Sequence, residues 1–252
     1  MPPTTFTMPC CVQSTDRFHA LGRAATLALA LCAAGQAQAA RPMITDDARL
    51  VDAGACQVES WLRFNPGGRE VWALPGCNLT GNLELTLGAG RTRDDAEGRA
   101  TNTVMQAKTL IKPLESNGWG WGLVLGNAHN SLVHANANLL GDVYAYAPAS
   151  ASFMDDRLVL HLNLGALYDK SQRRTRMTWG VGSETQLAAS TWLVAETFGQ
   201  NTGRPYWQVG VRHWLVRDRV QVDATAGHRW GGGSEGRWFS VGLRLLTPRL
   251  LD

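Results

Sequence analysis

The chain has 252 residues, of which 44% are hydrophobic and 18% are charged, and its formal net charge is +3. This small net charge excludes the strong basic footprint of a nucleic-acid-binding protein, so we expect no nucleic-acid partner. The length suits one large β domain or two smaller ones.

Residues 1–39 are organised like a secretory signal peptide. A basic stretch precedes an apolar run at 24–31, and Ala37-Gln38-Ala39 supplies a small-x-small cleavage site. The apolar run is too short to span a bilayer, so we expect cleavage rather than anchoring. Cys32 leaves a lipoprotein alternative open, although the bulky residue before it fits poorly.

Residues 40–54 form a polar lead-in without strand-length alternation. The segment contains Asp46, Asp47 and Asp52. It could lie in the periplasm or tuck into the base of a lumen. Adjacent aspartates could bind a cation, but they are more typical of a solvated turn.

The stretch 56–77 predicts a β-hairpin around a turn at 65–68. Counting outward from this turn pairs Arg63 with Glu70, Trp61 with Trp72 and Cys56 with Cys77, as antiparallel strands favour. The other three cysteines leave with the signal peptide. An even pair in an exported protein predicts a disulfide, with two buried thiols as the alternative.

The rest of the chain alternates apolar and polar residues with period two. Segments of this kind lie at 83–90, 101–112, 118–126, 139–147, 157–168, 174–182, 184–197, 205–215, 219–229 and 237–246. With the hairpin they make about twelve strands of the length that crosses an outer membrane. We therefore predict an all-β fold, an antiparallel up-and-down transmembrane β-barrel over 55–247, with a tail at 248–252.

The lengths of the connections support this topology. Longer loops are predicted at 65–68, 92–99, 127–138, 169–173, 199–204 and 231–236, and shorter turns at 79–82, 113–117, around 183 and 216–218. Outer-membrane barrels have short periplasmic turns and longer external loops. The connection at 148–156 is too long for a periplasmic turn unless the neighbouring strands extend into it.

A soluble sandwich or lipocalin-like barrel would show the same alternation with its apolar face turned inward. The number of strands, the Trp and Tyr residues near strand ends, and a polar face rich in Gly, Gln, Thr and Arg favour the membrane barrel.

Two ends of the sequence resemble a known bacterial family. The run from Arg41 to Val51, the Cys56–Trp61 sequence and the segment 241–248 resemble the MetA-pathway of phenol degradation family. The resemblance implies an outer-membrane β-barrel that passes small aromatic or hydrophobic compounds and has no catalytic residues. One departure is Asp252, where many outer-membrane barrels end in an aromatic residue, so the strand at 238–246 would have to serve as the assembly signal.

The polar face carries charges of both signs. In a barrel these either pair across the lumen or form a constriction that selects solutes by charge and size. The predicted lumen-lining residues are Glu59, Arg63, Glu70, Glu84, Lys108, Asp142, Arg157, His161, Arg174, Arg176, Glu196, Arg212, Asp223 and Arg244.

The leading hypothesis is a monomeric passive channel in the outer membrane of a Gram-negative cell, in contact with outer-membrane lipid and small solutes. One alternative is a lipid-modifying enzyme that uses His161, with Ser190 and Glu196 as imagined partners; the other is a structural or recognition barrel with a plugged lumen. We expect a protein that is not an enzyme and has no cofactor. We also expect no metal, because His129 and His134 lack accompanying Cys or acidic ligands.

Overall fold

The computed structural model describes residues 42–134, 140–233 and 236–250, so the predicted signal peptide lies outside the described residues. It contains twelve β-strands: β1 Cys56–Asn65, β2 Gly68–Asn78, β3 Glu84–Asp94, β4 Gly98–Lys112, β5 Trp119–Asn130, β6 Asp142–Phe153, β7 Leu158–Asp169, β8 Arg174–Ala188, β9 Thr191–Gln200, β10 Tyr206–Val216, β11 Val220–Arg229 and β12 Trp238–Leu246. Each strand pairs antiparallel with its sequence neighbours, and β1 pairs with β12 to close the barrel. The predicted up-and-down barrel is confirmed. Within the described residues, no helix is long and apolar enough to cross a membrane.

The first hairpin has the predicted register. Arg63 lies opposite Glu70, and Trp61 lies opposite Trp72 with the ring centroids 5.6 Å apart. Cys56 lies opposite Cys77, and the two form the predicted disulfide.

The apolar face of the sheet points outward. In β7, Leu160, Leu162 and Leu164 are exposed, whereas His161 and Asn163 between them are buried inside the barrel. The same alternation runs through the other strands, so the wall has an apolar outer surface and a polar interior. This arrangement is the reverse of a soluble sandwich, in which apolar residues fill the core.

Exposed aromatic side chains lie near both rims of the barrel. Trp119 begins β5 at the near rim, where β1 starts, while Tyr168 and Trp230 lie near the far rim, which carries the β1–β2 turn. Amphipathic rings at two levels are typical of membrane-interface girdles.

Two connections differ in detail from the sequence expectation. The turn predicted around 183 is wrong, because β8 continues to Ala188 and the chain turns at 189–190. The long connection at 148–156 is mostly strand, since β6 continues to Phe153 and a tight turn follows. Met154, Asp155 and Asp156 of that turn have positive φ angles.

The lead-in lies inside the barrel. Over its described part, residues 42–54, Met43, Ala48 and Val51 are buried, and Gly54 donates a backbone hydrogen bond to Asn78 at the near rim. From there the segment extends through the lumen to β10, where Pro42 accepts a hydrogen bond from Gln208. The candidate functional site is therefore the lumen with this segment in place.

Candidate functional site

A buried electrostatic contact joins the lead-in to β4 inside the lumen. The Lys108 ammonium lies 2.7 Å from Asp46 Oδ1 and 3.3 Å from Asp47 Oδ1, and the Tyr146 hydroxyl donates to Asp46 Oδ2 at 2.9 Å. The Asp46 and Lys108 side chains are only 2% and 5% exposed. The expectation of a solvated turn at Asp46 is therefore wrong: this carboxylate neutralises a buried cation.

The environment of Asp47 favours its charged form. Burial by itself raises the pKa of Asp47, but the neighbouring Lys108 and Arg49 outweigh burial and hold the pKa below its usual range. Asp47 therefore remains a carboxylate across the ordinary pH range, and its attraction to Lys108 persists.

Most other contacts of the wall with the lead-in reach its backbone. The Glu196 carboxylate accepts hydrogen bonds from Ile44 N at 2.7 Å and Thr45 N at 2.6 Å. The Ser150 hydroxyl accepts from Ala48 N at 2.9 Å. These contacts satisfy amide groups that would otherwise be buried without partners.

Amide side chains complete this set of backbone contacts. Gln208 Nε2 donates to Pro42 O at 2.8 Å, and Asn78 Nδ2 donates to Val51 O at 2.8 Å. The Asn163 amide is oriented so that its nitrogen donates to Asp46 O at 2.9 Å and its oxygen accepts from Asp46 N at 2.7 Å. Val51 N also donates to Glu84 Oε2 at 3.0 Å.

Two glycines of β8 give the lead-in its space. A Cβ atom on Gly180 would lie 2.6 Å from Thr45 Oγ1, and one on Gly182 would lie 2.2 Å from Met43 Cε. Side chains at these two inward positions would force Thr45 and Met43 to shift, so glycine lets the segment lie this close to the wall.

The remaining charges of the inner wall pair largely with one another. Ion pairs join Arg63 to Glu70 at 3.2 Å, Arg244 to Glu59 at 3.5 Å, Arg212 to Glu184 at 2.6 Å and Arg176 to Asp169 at 3.7 Å. Asp223 is also buried on the inner face. These four arginines, together with Lys108 and its partner Asp46 in the lead-in, make five inward cations that have a carboxylate partner.

Three predicted lining residues lie at the rims. Arg157 is exposed in the turn before β7, and Arg174 is exposed at the start of β8, so neither is enclosed by the lumen. Asp142 lies at the far rim, 3.0 Å from His134 Nε2. Alternation assigns a side chain to a face of the sheet but says nothing of its depth.

His161 contacts a serine and a carboxylate, but not Ser190 and Glu196, the partners imagined for it in the enzyme alternative. Its Nδ1 lies 2.8 Å from Ser150 Oγ, and its Nε2 lies 3.8 Å from Glu184 Oε1. Glu196 binds the lead-in instead, and Ser190 lies in the turn between β8 and β9. Because Ser150 Oγ also accepts from the lead-in backbone, the group serves to hold that segment.

No metal centre is formed by the histidines of the β5–β6 connection in the described part of the chain. The His129 and His134 rings are 5.3 Å apart, and no cluster of three or more His, Cys, Asp or Glu residues suited to a metal occurs among the described residues. His134 instead contacts Asn130 N and Asp142.

Aromatic side chains line the lumen on two sides. On one side lie Trp61, Trp72, Tyr144 and Tyr146, which belong to one buried cluster. On the other side Phe198, Tyr206 and Trp238 contact one another, with ring centroids 5.8 to 6.4 Å apart. The Arg63 guanidinium lies over the Trp238 ring and also pairs with Glu70, so it connects the two groups.

A cavity of about 560 Å³ lies between the lead-in and the wall on the near-rim side. Its lining includes Asp47 and Val51 of the lead-in, Glu59 and Arg244 of the wall, and Arg217 of a near-rim turn. The lead-in therefore narrows the lumen beside a polar, charged space.

Sequence reasoning missed Ser150, Asn163 and Gln208 as partners of the lead-in. Period-two alternation places Asn163 on the inner face, but their partners lie roughly 100 or more residues away along the chain. No local pattern could have identified these contacts.

Residues 27–246 match the model of the family described as Uncharacterised conserved protein UCP029691, and the chain belongs to that family. The predicted membership of the MetA-pathway family is not confirmed by this match. No curated protein matches the chain.

Solved structures with the same fold are porins and channels. A structure titled KdgM porin superposes with a TM-score of 0.60 at 11% identity, covering 75% of this chain and 98% of its own. The NanC porin gives 0.56 at 7% identity, with coverages of 75% and 98%. The COG4313 outer membrane channel from Pseudomonas putida F1 gives 0.51 at 13% identity, with coverages of 79% and 97%. At such low identities these likenesses show the fold alone.

Proposed function

We propose that the protein is a monomeric outer-membrane β-barrel that acts as a passive channel for small solutes. The observation that carries this proposal is the closed barrel with its apolar face outward and its charged face inward. An apolar belt with aromatic rims is stable in lipid, and a polar interior supports a hydrated path.

The inner wall favours small solutes with aromatic or apolar parts. The two aromatic groups present ring faces and edges to the lumen. The KdgM porin has also been solved in complex with disordered oligogalacturonate, a polyanion. Here five inward cations already have carboxylate partners, so we propose small aromatic or hydrophobic solutes, in keeping with the MetA-pathway resemblance, rather than long polyanions.

The lead-in sets the conductance of the channel. It occupies the lumen from the near rim to the level of Gln208 in β10 and leaves the 560 Å³ cavity beside it. We expect a small conductance while the segment stays in place and a larger one when it leaves, because the cross-section of the path then increases.

The two alternative functions make different predictions. A lipid-modifying enzyme would need a nucleophile open to substrate, but Ser150 Oγ is engaged by both His161 and the lead-in backbone. A purely structural barrel would keep its lumen closed under all conditions.

Conductance in planar lipid bilayers tests the proposal. Purified full-length protein, checked for folding by its heat-modifiable migration in gels, should give discrete current steps. Liposome-swelling rates should be faster for a small neutral aromatic solute than for a disaccharide. A barrel that conducts no more than leak, both as wild type and with a weakened lead-in (Asp46→Asn with Asp47→Asn), would contradict the channel function. Membrane fractionation tests the outer-membrane location independently.

A further inference from the structure

The inner wall contacts the lead-in mainly through its main chain. Glu196, Ser150 and Glu84 accept from backbone N–H groups, while Gln208 and Asn78 donate to backbone carbonyls. Asn163 does both at a single residue. These wall groups are buried, and contacts of this kind do not depend on which side chains the bound segment carries.

A second set of contacts selects for acidic side chains. Lys108 contacts Asp46 and Asp47 together, and the Tyr146 hydroxyl donates to Asp46. The described lead-in carries Asp46, Asp47 and Asp52 against one cation, Arg49, so it is acidic as a whole. The site thus combines side-chain-independent backbone contacts with a buried contact to a pair of adjacent carboxylates, and Glu184 adds a longer contact of 3.9 Å to Arg49.

We propose that the inner wall is a binding site for short acidic peptides, and that the lead-in is its built-in, exchangeable occupant. The ligand class follows from these contacts: about ten residues with side chains that pack against Gly180 and Gly182 as Thr45 and Met43 do, and two adjacent acidic residues at the level of Lys108. This site is independent of the proposed channel function, because it could bind a peptide whether or not the barrel conducts.

The wall also provides for the occupant's departure. Glu84 lies directly opposite Lys108 in the register of β3 and β4, but in the occupied state it accepts hydrogen bonds from Val51 N and Gln57 instead. When the lead-in leaves, the Lys108 ammonium can pair with Glu84. The exchange of partners avoids an isolated buried cation, which would otherwise keep the segment in place.

A fluorescently labelled peptide with the sequence of residues 42–52 tests the proposal. Its binding is measured by anisotropy to full-length protein in detergent micelles, with the endogenous lead-in weakened by Asp46→Asn and Asp47→Asn. Both changes preserve side-chain shape. Asp169→Asn is the matched control, since Asp169 pairs with Arg176 and does not contact the lead-in.

The double variant should bind the peptide saturably, with an affinity at least about tenfold higher than that of wild type or of Asp169→Asn. In those two proteins the intact lead-in still competes for the site. A scrambled peptide and a peptide with both aspartates replaced by asparagine should bind about tenfold more weakly. Adding Lys108→Met should abolish the preference for the acidic peptide. If Lys108→Met does not fold, Tyr146→Phe serves as the second variant. It removes one hydroxyl, keeps the ring and should weaken binding of the acidic peptide a few-fold.

Equal binding of the native and scrambled peptides to the folded double variant would overturn the proposal, and so would an acidic preference that survives both Lys108→Met and Tyr146→Phe. Conductance of the same samples separates the two proposals. A barrel that conducts without binding the peptide supports only the channel, and one that binds without conducting supports only the peptide site.

Discussion

Replacing Lys108 with methionine tests directly whether the ion pair with Asp46 and Asp47 holds the lead-in in the lumen. Methionine keeps most of the side-chain volume but removes the ammonium that contacts Asp46 and Asp47. The Asp46 carboxylate, only 2% exposed, would then lack its cation. Removing one partner of a buried ion pair costs about 3–5 kcal/mol.

The lead-in can escape this cost by leaving the lumen, because its aspartates are then hydrated. The released state also loses its Lys108–Glu84 pair, so the shift toward release should be smaller than the full cost of the Asp46 and Asp47 contacts, about tenfold or more. Trypsin detects release, since cleavage after Arg49 requires an accessible backbone, whereas the flanking Ala48 and Val51 are buried in the occupied state.

Mass spectrometry of the folded protein after brief trypsin treatment should show faster cleavage after Arg49 in Lys108→Met than in wild type. Arg63→Met is the control, because it breaks the Arg63–Glu70 pair without touching the lead-in. Equal cleavage rates in Lys108→Met and wild type would show that the ion pair does not hold the segment, and would refute the reasoning.

Four further predictions concern the disulfide, the outer face of the barrel and the hold of the lumen on the lead-in. Alkylation without reductant should label neither Cys56 nor Cys77, and replacing both with serine should lower stability by about 3 kcal/mol, measured by urea unfolding with heat-modifiable migration as the readout. Leu162→Arg, on the outer face, should cost about 2–4 kcal/mol near the bilayer midplane and reduce the fraction that folds into lipid vesicles. Gly180→Val should accelerate the same tryptic cleavage without removing any charge, because the new side chain meets the lead-in. Because the bound state lowers the pKa of Asp47, the charged carboxylate stabilises the bound lead-in at every pH above the ordinary aspartate pKa of about 4. This stabilisation is lost as the pH falls from there toward the lower pKa of the bound state. Cleavage of the lead-in by an acid-active protease should therefore be slow at mildly acidic pH and become faster in strong acid.

The barrel itself was predictable because period-two alternation is a local property of each strand. The hairpin register followed from three facing pairs, of which the opposed cysteines were the most specific. The direction of the apolar face was harder, since alternation is identical in a soluble barrel; exposed leucines and buried polar residues now decide it.

The wrong turn near 183 shows a limit of reading strands from alternation alone. The sequence was divided there into two strands, whereas Gly180 and Gly182 lie in one continuous strand and give space to Thr45 and Met43. Glycine serves both turns and close approach, and the second use depends on a segment more than 130 residues earlier in the chain.

The polar character of the lumen contacts argues that its occupant is removable. The departure of an apolar segment would expose a large apolar surface to water, which is unfavourable. Each backbone hydrogen bond between the wall and the lead-in can instead be replaced by one to water, at a net cost of about 0.5–1.5 kcal/mol. The contact that resists this exchange is Lys108 with its two aspartates, and Glu84 lies opposite it as a substitute partner. With the lead-in bound, Glu84 accepts a hydrogen bond from Val51 N, and from its place opposite Lys108 it can pair with the ammonium when the lead-in leaves. This position of Glu84 suits a lumen with two states, one with the lead-in bound and one with Lys108 paired to Glu84.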